Sequence, residues 1–213
     1  MYAISHAATA LPIQRRYPQA GIWPILIAVQ LVELLWVVFT YTGIEHYVVS
    51  GGRVHLGFLP YSHSLTTGVV LAAAAWWLLR GRSRQLAAAV AIGIASHIVL
   101  DIIQHEPDIT LLPIDIGPYL GLGLHNLPAL NLVVELAYGI GCWWVFRGRV
   151  GLLVGILLFN LADWPLMTPR PDSVAQIAAH PFVLPTVILI QIVASWLLVA
   201  WLSRRRIDRQ AAS

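Results

Sequence analysis

Leu86-Ala87-Ala88-Ala89-Val90-Ala91-Ile92-Gly93-Ile94-Ala95-Ser96-His97-Ile98-Val99-Leu100-Asp101-Ile102-Ile103-Gln104-His105 is the stretch on which the reading of this chain turns. As an α-helix it rises roughly 30 Å, the thickness of the hydrocarbon layer of a bilayer. His97, Asp101 and His105 fall at i, i+4 and i+8, so three ionisable groups share one side of an otherwise apolar helix. A charged side chain facing lipid is unfavourable by ~2.5–3.5 kcal/mol on insertion scales, so such residues face a bundle interior, a partner or an ion.

Composition extends that reading to the whole chain. Hydrophobic residues make up 58% and charged residues 11%, with mean hydropathy +0.74; soluble domains carry roughly 25% charged residues, so this is a membrane protein. All 13 basic residues are arginine, against 10 acids. They are divided among short connections instead of gathered on a face, which argues for membrane topology and against a nucleic-acid partner. Cys142 is the single cysteine and lies in an apolar segment, so an intrachain disulfide framework and a cysteine-rich metal site are excluded. Any metal must be held by His, Asp and Glu.

Six apolar segments, at about 22–42, 63–80, 86–104, 128–146, 150–167 and 182–202, predict an all-α polytopic bundle with about six membrane spans. Residues 1–21 read as a polar N-terminal tail, 22–203 as the transmembrane domain and 204–213 as a basic C-terminal tail. With six spans, eleven arginines (15, 16, 80, 82, 84, 147, 149, 204, 205, 206 and 209) share one side and only Arg53 and Arg170 the other. The positive-inside rule then places both termini in the cytoplasm. Trp23, Trp76, Trp77, Trp143, Trp144 and Trp201 fall at the same ends of their spans, as an interfacial belt does. The cytoplasmic connections are tight Arg-Gly-Arg turns, whereas the outer ones, 43–62, 105–127 and 168–181, are long and rich in Pro, Gly and His. No internal repeat and no broken helix is visible.

The buried ionisable residues are asymmetric in depth. His63 opens the second span, His97 and Asp101 lie roughly 10 and 5 Å from the outer end of the third, and Glu33, Glu135, Asn160 and Asp163 also fall in the outer halves or near mid-membrane. A polar pocket open to one side is the layout of an active site, whereas a permease needs a polar route through both leaflets. His-x-x-x-Asp on a helix places an imidazole and a carboxylate one turn apart, able to chelate one metal. His63 completes three protein ligands and leaves a position for water, which zinc acidifies to a pKa near ~7. Glu33 or Glu135 is then the fourth ligand, the general base, or the acceptor that orients a ligating histidine. His105, Asp108 and His125 line the entrance. Asp163 reads as the cap of a short helix, and His6, His46, His55 and His180 as solvated.

At Leu59-Pro60-Tyr61-Ser62-His63-Ser64-Leu65 and Ser96-His97-Ile98-Val99-Leu100-Asp101 the chain resembles small bacterial inner-membrane proteins described as membrane-bound metal-dependent hydrolases. It is most similar to a subgroup that continues, as here, with His105-x-Pro107-Asp108, then Gly121-Leu122-Gly123-Leu124-x-Asn126 and an apolar helix containing Glu135. The resemblance covers about residues 58–140 and implies His63, His97 and Asp101 as metal-site residues. The better-known branch of that family has a His-Arg pair and a Thr-x-x-Gly where this chain has Phe58-Leu59 and Gln104-His105-Glu106-Pro107.

The expectation is therefore a divalent-metal hydrolase, with zinc as the ion, in the bacterial inner membrane. Its site opens to the extracytoplasmic face, its partners are membrane lipids, and its substrate is a lipid-like ester, amide or phosphoester. The alternatives are a metal- or proton-coupled permease and a non-catalytic scaffold whose polar residues pair with one another.

Overall fold

Hydropathy and chain punctuation set the long helices. The computed structural model describes residues 1–50 and 53–211, with side chains described except at 50, 53, 56, 57 and 205–211. Its helices are α1 (Ala3–Arg16), α2 (Ile22–Ala28), α3 (Leu31–Tyr41), α4 (Pro60–His63), α5 (Leu65–Leu79), α6 (Arg84–Gln104), α7 (Pro128–Phe146), α8 (Val150–Ala162), α9 (Trp164–Met167), α10 (Pro171–Ala179) and α11 (Val183–Ala211). Ser64 and Ser83 cap α5 and α6, accepting from the Thr67 and Leu86 amides at 3.1 and 3.3 Å. Pro60 and Pro128 open α4 and α7 at positions where a missing amide proton costs nothing.

Four helices are long and apolar enough to cross a membrane: α6, α7, Val150–Met167 and Val183–Arg204. The pair α2 and α3 makes a fifth if it is one span, bent by 53° at residues 29–30. The expected second span forms α5, apolar but only 15 residues long. Four or five such elements are thus present among the described residues, with α5 a shorter apolar helix where the remaining expected span falls. Val69, Val133, Ile140, Leu158, Ile190 and Trp201 are among the large apolar side chains exposed on these helices, as a lipid-facing surface requires.

Two departures from the sequence reading shape the molecule. The loops are not free of strand: β1 (His46–Ser50) pairs antiparallel with β2 (Arg53–Phe58), and β3 (Ile109–Thr110) with β4 (Tyr119–Leu120). Tyr, Val and Phe in these segments favour strands over helix. More consequential is the N-terminus. Residues 1–21, expected as a polar tail, contain α1, which packs against α2, α6, α7, α8 and α11 with ten of its fourteen residues buried. Its alanines let neighbouring helices approach closely. Its Ser, His and Thr, which lower the hydropathy of the segment, find partners on α6 and α7. The expected basic tail continues α11 as helix to Ala211, and Ala212 and Ser213 lie outside the described residues.

α1 also defines the two ends of the molecule. The Arg15 guanidinium donates to the Val145 carbonyl and the Gln19 amide to Gln85 Oε1. Residues 15–19, 85 and 145–148 therefore share an arginine-rich end. Met1, at the start of α1, lies deep among the helices instead, with its ammonium 3.0 Å from Asp101 Oδ1.

The three long loops meet at the opposite end. The Tyr47 hydroxyl donates to the carbonyls of Ile177 and Pro181, both at 3.1 Å. The Thr66 amide donates to the Leu111 carbonyl at 3.0 Å. Residues 121–123 strap the C-terminus of α6, the amides of Leu122 and Gly123 donating to the carbonyls of Ile102 (2.7 Å) and His105 (2.6 Å). The strap needs glycine at 121: φ is +153°, and a Cβ there would lie 2.0 Å from the Glu106 carbonyl oxygen. Gly121→Ala is therefore expected to destabilise the detergent-purified protein by roughly 1–3 kcal/mol. Gly141→Ala, where a Cβ meets nothing within 4 Å, is the control; equal thermal midpoints for the two variants would contradict the strap.

Candidate metal centre

Two helices and a one-turn helix converge below the loop end. α6 contributes His97 and Asp101, α3 contributes Glu33, and α4 contributes His63 from its last position. α4 stops there because Ser64 turns extended to cap α5. α5 then packs closely on α6 at Gly68, where a Cβ would lie 2.4 Å from Ile98 Cγ1, and this approach carries His63 to His97. One atom from each of Glu33, His63, His97 and Asp101 lies within 4.8 Å of all the others.

The break between α2 and α3 serves the same point. It has neither Pro nor Gly. Gln30 occupies it, its side-chain amide donating to the Ala3 carbonyl at 2.6 Å and to Ser195 Oγ at 3.4 Å. With the helix interrupted, the Val29 carbonyl lies 2.8 Å from His97 Nδ1. A carbonyl only accepts, so Nδ1 carries the proton and neutral His97 presents a bare lone pair at Nε2.

His63 is fixed in the same way by a chain of side chains. Glu45 Oε1 accepts from the amides of Tyr61 and Ser62, both at 2.8 Å, and Oε2 from the Ser62 hydroxyl at 2.6 Å. Having given its proton to Glu45, Ser62 Oγ accepts from His63 Nδ1 at 2.8 Å. His63 Nε2 is then the bare nitrogen. Such outer partners of ligating histidines set tautomer and ring direction.

The inward atoms fit a metal. His63 Nε2, His97 Nε2 and Asp101 Oδ2 are buried and have no hydrogen-bond partner. His97 Nε2 lies 2.8 Å from Asp101 Oδ2 and 3.8 Å from Glu33 Oε2; His63 Nε2 lies 3.6 Å and 3.3 Å from the same two oxygens. Tetrahedral ligands at ~2.0–2.1 Å from zinc stand about 3.3–3.4 Å apart, inside the observed spread. Two carboxylates and two neutral imidazoles would neutralise a divalent ion.

α1 closes the site from the side. The His6 ring stacks on that of His97, centroids 4.1 Å apart, and His6 Nε2 lies 3.1 Å from Asp101 Oδ1, the oxygen that also faces the Met1 ammonium. Asp101 thus has one oxygen occupied by α1 and the other turned toward the histidines. His6, expected to be solvated, is 3% exposed. Hydropathy could not reveal this, because only the folded position of α1 gives that ring its partners.

Of the residues singled out from sequence, His63, His97, Asp101 and Glu33 are brought together. Glu135 is not in the group: its oxygens accept from the Tyr2 amide at 3.1 Å and from the Ser5 hydroxyl. His105 caps α6, its ring 5.6 Å from that of His63 and its Nδ1 3.0 Å from Asp108 Oδ1. His125 lies in the 3-10 turn Leu124–Asn126 of the strap. Beside it, partial burial opposes ionisation of Glu106, yet hydrogen bonds to Asn126 and His55 and the charges of His55 and His125 hold its carboxyl below the usual range. His55 is therefore half-buried and paired, while His46 and His180 are exposed as expected. Glu45 went unremarked in the sequence, although the Ser-His order of the motif is the signal that a hydroxyl stands beside the ring nitrogen.

No family model matches the chain, and neither curated proteins nor solved structures include a match to it. Ser62→Ala and Glu45→Gln leave all four inward groups in place and are expected to weaken metal binding about 10–100-fold in chelator competition. Unchanged affinity in both would show that the Glu45–Ser62–His63 chain does not tune the site.

Proposed function

We propose that the protein is an integral-membrane, metal-dependent hydrolase. In this reading His63, His97 and Asp101 hold one divalent ion, zinc by the donor set, and leave a position for water beside Glu33, at a site facing the extracytoplasmic side of a bacterial inner membrane. The observation that carries the reading is the convergence of two bare, buried imidazole nitrogens with two carboxylate oxygens.

The ion supplies Lewis acidity at the reacting carbonyl or phosphoryl group and acidifies water. The chain supplies the rest. Val29 and the Glu45–Ser62 pair hold His97 and His63 in the tautomer that points a lone pair inward. His6 steadies Asp101 from its outer oxygen. The Glu33 side chain is 22% exposed, against at most 2% for the other three, so it stands on the accessible side, where a base takes a proton from incoming water. His105, tied to Asp108 through Nδ1, lies beside His63 toward the loop end, where a substrate head group arrives. Burial among apolar helices favours a lipid-like ester, amide or phosphoester as substrate.

The broken helix at residues 29–30 favours the second reading, a permease, since transporters use such breaks near the midplane. Packing below the site weighs against it. Ile4, Leu11, Ile25, Leu26, Phe146 and Leu152 belong to a closed apolar cluster on the arginine-rich side. The third reading, a scaffold, draws on the 2.8 Å approach of His97 to Asp101 as an imidazolium–carboxylate pair.

The test is hydrolysis of a panel of fluorogenic lipid esters, amides and phosphodiesters in detergent micelles, with protein stripped of metal and then reloaded with zinc or manganese. The proposal expects turnover that needs the ion, abolished in His97→Ala and reduced about 100-fold or more in Glu33→Gln. Turnover indifferent to chelation, or none on any class in metal-loaded wild type, would count against it.

A further inference from the structure

A second set of buried polar groups lies between α1, α7 and α8, outside the centre described above. Asn131 and Glu135 occupy successive turns of one face of α7, both 0% exposed. Across from them α8 presents Asn160, also 0% exposed, and Asp163 follows α8 at 2%. The elements meet at Gly139, one turn beyond Glu135, where an added Cβ would lie 3.6 Å from Asn160 Nδ2. Tyr2 and Ser5 of the N-terminal segment close the third side by donating to Glu135. The charges of Glu135 and Asp163 act on each other and on the Tyr2 phenol.

The oxygens of this cluster are underused. Asp163 Oδ1 accepts from Gln191 at 2.7 Å, but Oδ2 has no partner. Asn160 gives its amide to the Ile156 carbonyl at 3.2 Å and leaves Oδ1 unpaired. Neither side-chain atom of Asn131 has a partner, nor does the Tyr2 hydroxyl. Among the described residues, neither carboxylate has a cationic group within ion-pair distance. Each unsatisfied buried polar atom calls for a water, a proton or an ion; the Met1 ammonium lies near enough to act on Glu135, whereas Asp163 has no counter-charge among the described residues and calls for a proton or a cation.

We propose that this cluster is a second cation site, in which Glu135, Asp163, Asn131, Asn160 and the Tyr2 hydroxyl hold a hard cation through oxygen alone. Calcium suits the site with both carboxylates ionised, and sodium suits it when one keeps its proton. The donors are carboxylate, carboxamide and phenol oxygens, which select hard ions, whereas the two imidazoles of the first centre select a transition metal. Because Tyr2 and Ser5 bind Glu135 while His6 binds Asp101, a cation here fastens the start of α1 against the first centre.

The experiment uses the full chain in detergent, as wild type, His97→Ala, Asp163→Asn and Asn131→Ala. Thermal midpoints are measured against calcium chloride, sodium chloride and choline chloride at matched ionic strength, with radioactive calcium in equilibrium dialysis. The expected result is a rise of several degrees with calcium or sodium but not choline. It persists in His97→Ala, which isolates it from the first centre, and is lost in Asp163→Asn and Asn131→Ala. A calcium response comes with about one bound ion per chain, and a sodium response without calcium binding assigns the monovalent ion. Midpoints indifferent to all three salts in wild type would overturn the proposal, and so would a calcium or sodium response that survives in a folded Asp163→Asn or Asn131→Ala. The wild-type measurement decides even if one variant fails to fold.

Discussion

The structure depends on what happens to lone pairs buried together between helices. His63 Nε2, His97 Nε2 and Asp101 Oδ2 are buried and close, while both rings turn Nδ1 to other partners. An uncompensated buried charge costs several kcal/mol, and a histidine lone pair facing a carboxylate adds repulsion. A shared divalent ion removes both penalties. Protonating His97 removes them only at that ring, leaving His63 and Glu33 to be balanced separately. The outer partners favour the ion, because Val29 and Ser62 take the Nδ1 protons and turn both rings the same way.

The same constraint accounts for the unusual features around the site. A helix broken without proline or glycine is costly in a membrane, since its freed carbonyls must find donors; here Val29 finds His97, and Gln30 ties the break to α1 and α11. α1 is polar by membrane standards and remains inside because its Ser5, His6 and Thr9 each meet a matching group on α6 or α7. Once seated, it fills the space between the helices on the arginine-rich side with alanine, isoleucine and leucine.

How much of this could be read from the chain follows from which signals are local. The bounds of α6, α7 and α8–α9 nearly coincide with the apolar runs 86–104, 128–146 and 150–167, because Arg-Gly-Arg turns, Ser83 and Pro128 punctuate them. His97 and Asp101 are one turn apart in any helix, and the position of His63 followed from depth. The choice between Glu33 and Glu135 did not, since it rests on how α3 and α7 are rotated about their axes. The burial of α1 was hidden because hydropathy counts a paired histidine as it counts a solvated one. The break at Gln30 carries no breaker residue, and the β1–β2 ribbon lies in a segment whose Gly and His content reads as loop.

The most direct test is to count and characterise the metal in untagged, detergent-purified protein, by elemental mass spectrometry and X-ray absorption, beside His97→Ala. The account predicts about one zinc or similar ion per chain, a nitrogen and oxygen shell near ~2.0–2.1 Å with two imidazoles in it, and loss of that ion in a folded His97→Ala. A well-folded wild type that holds no stoichiometric metal, even after incubation with zinc or manganese, would contradict it.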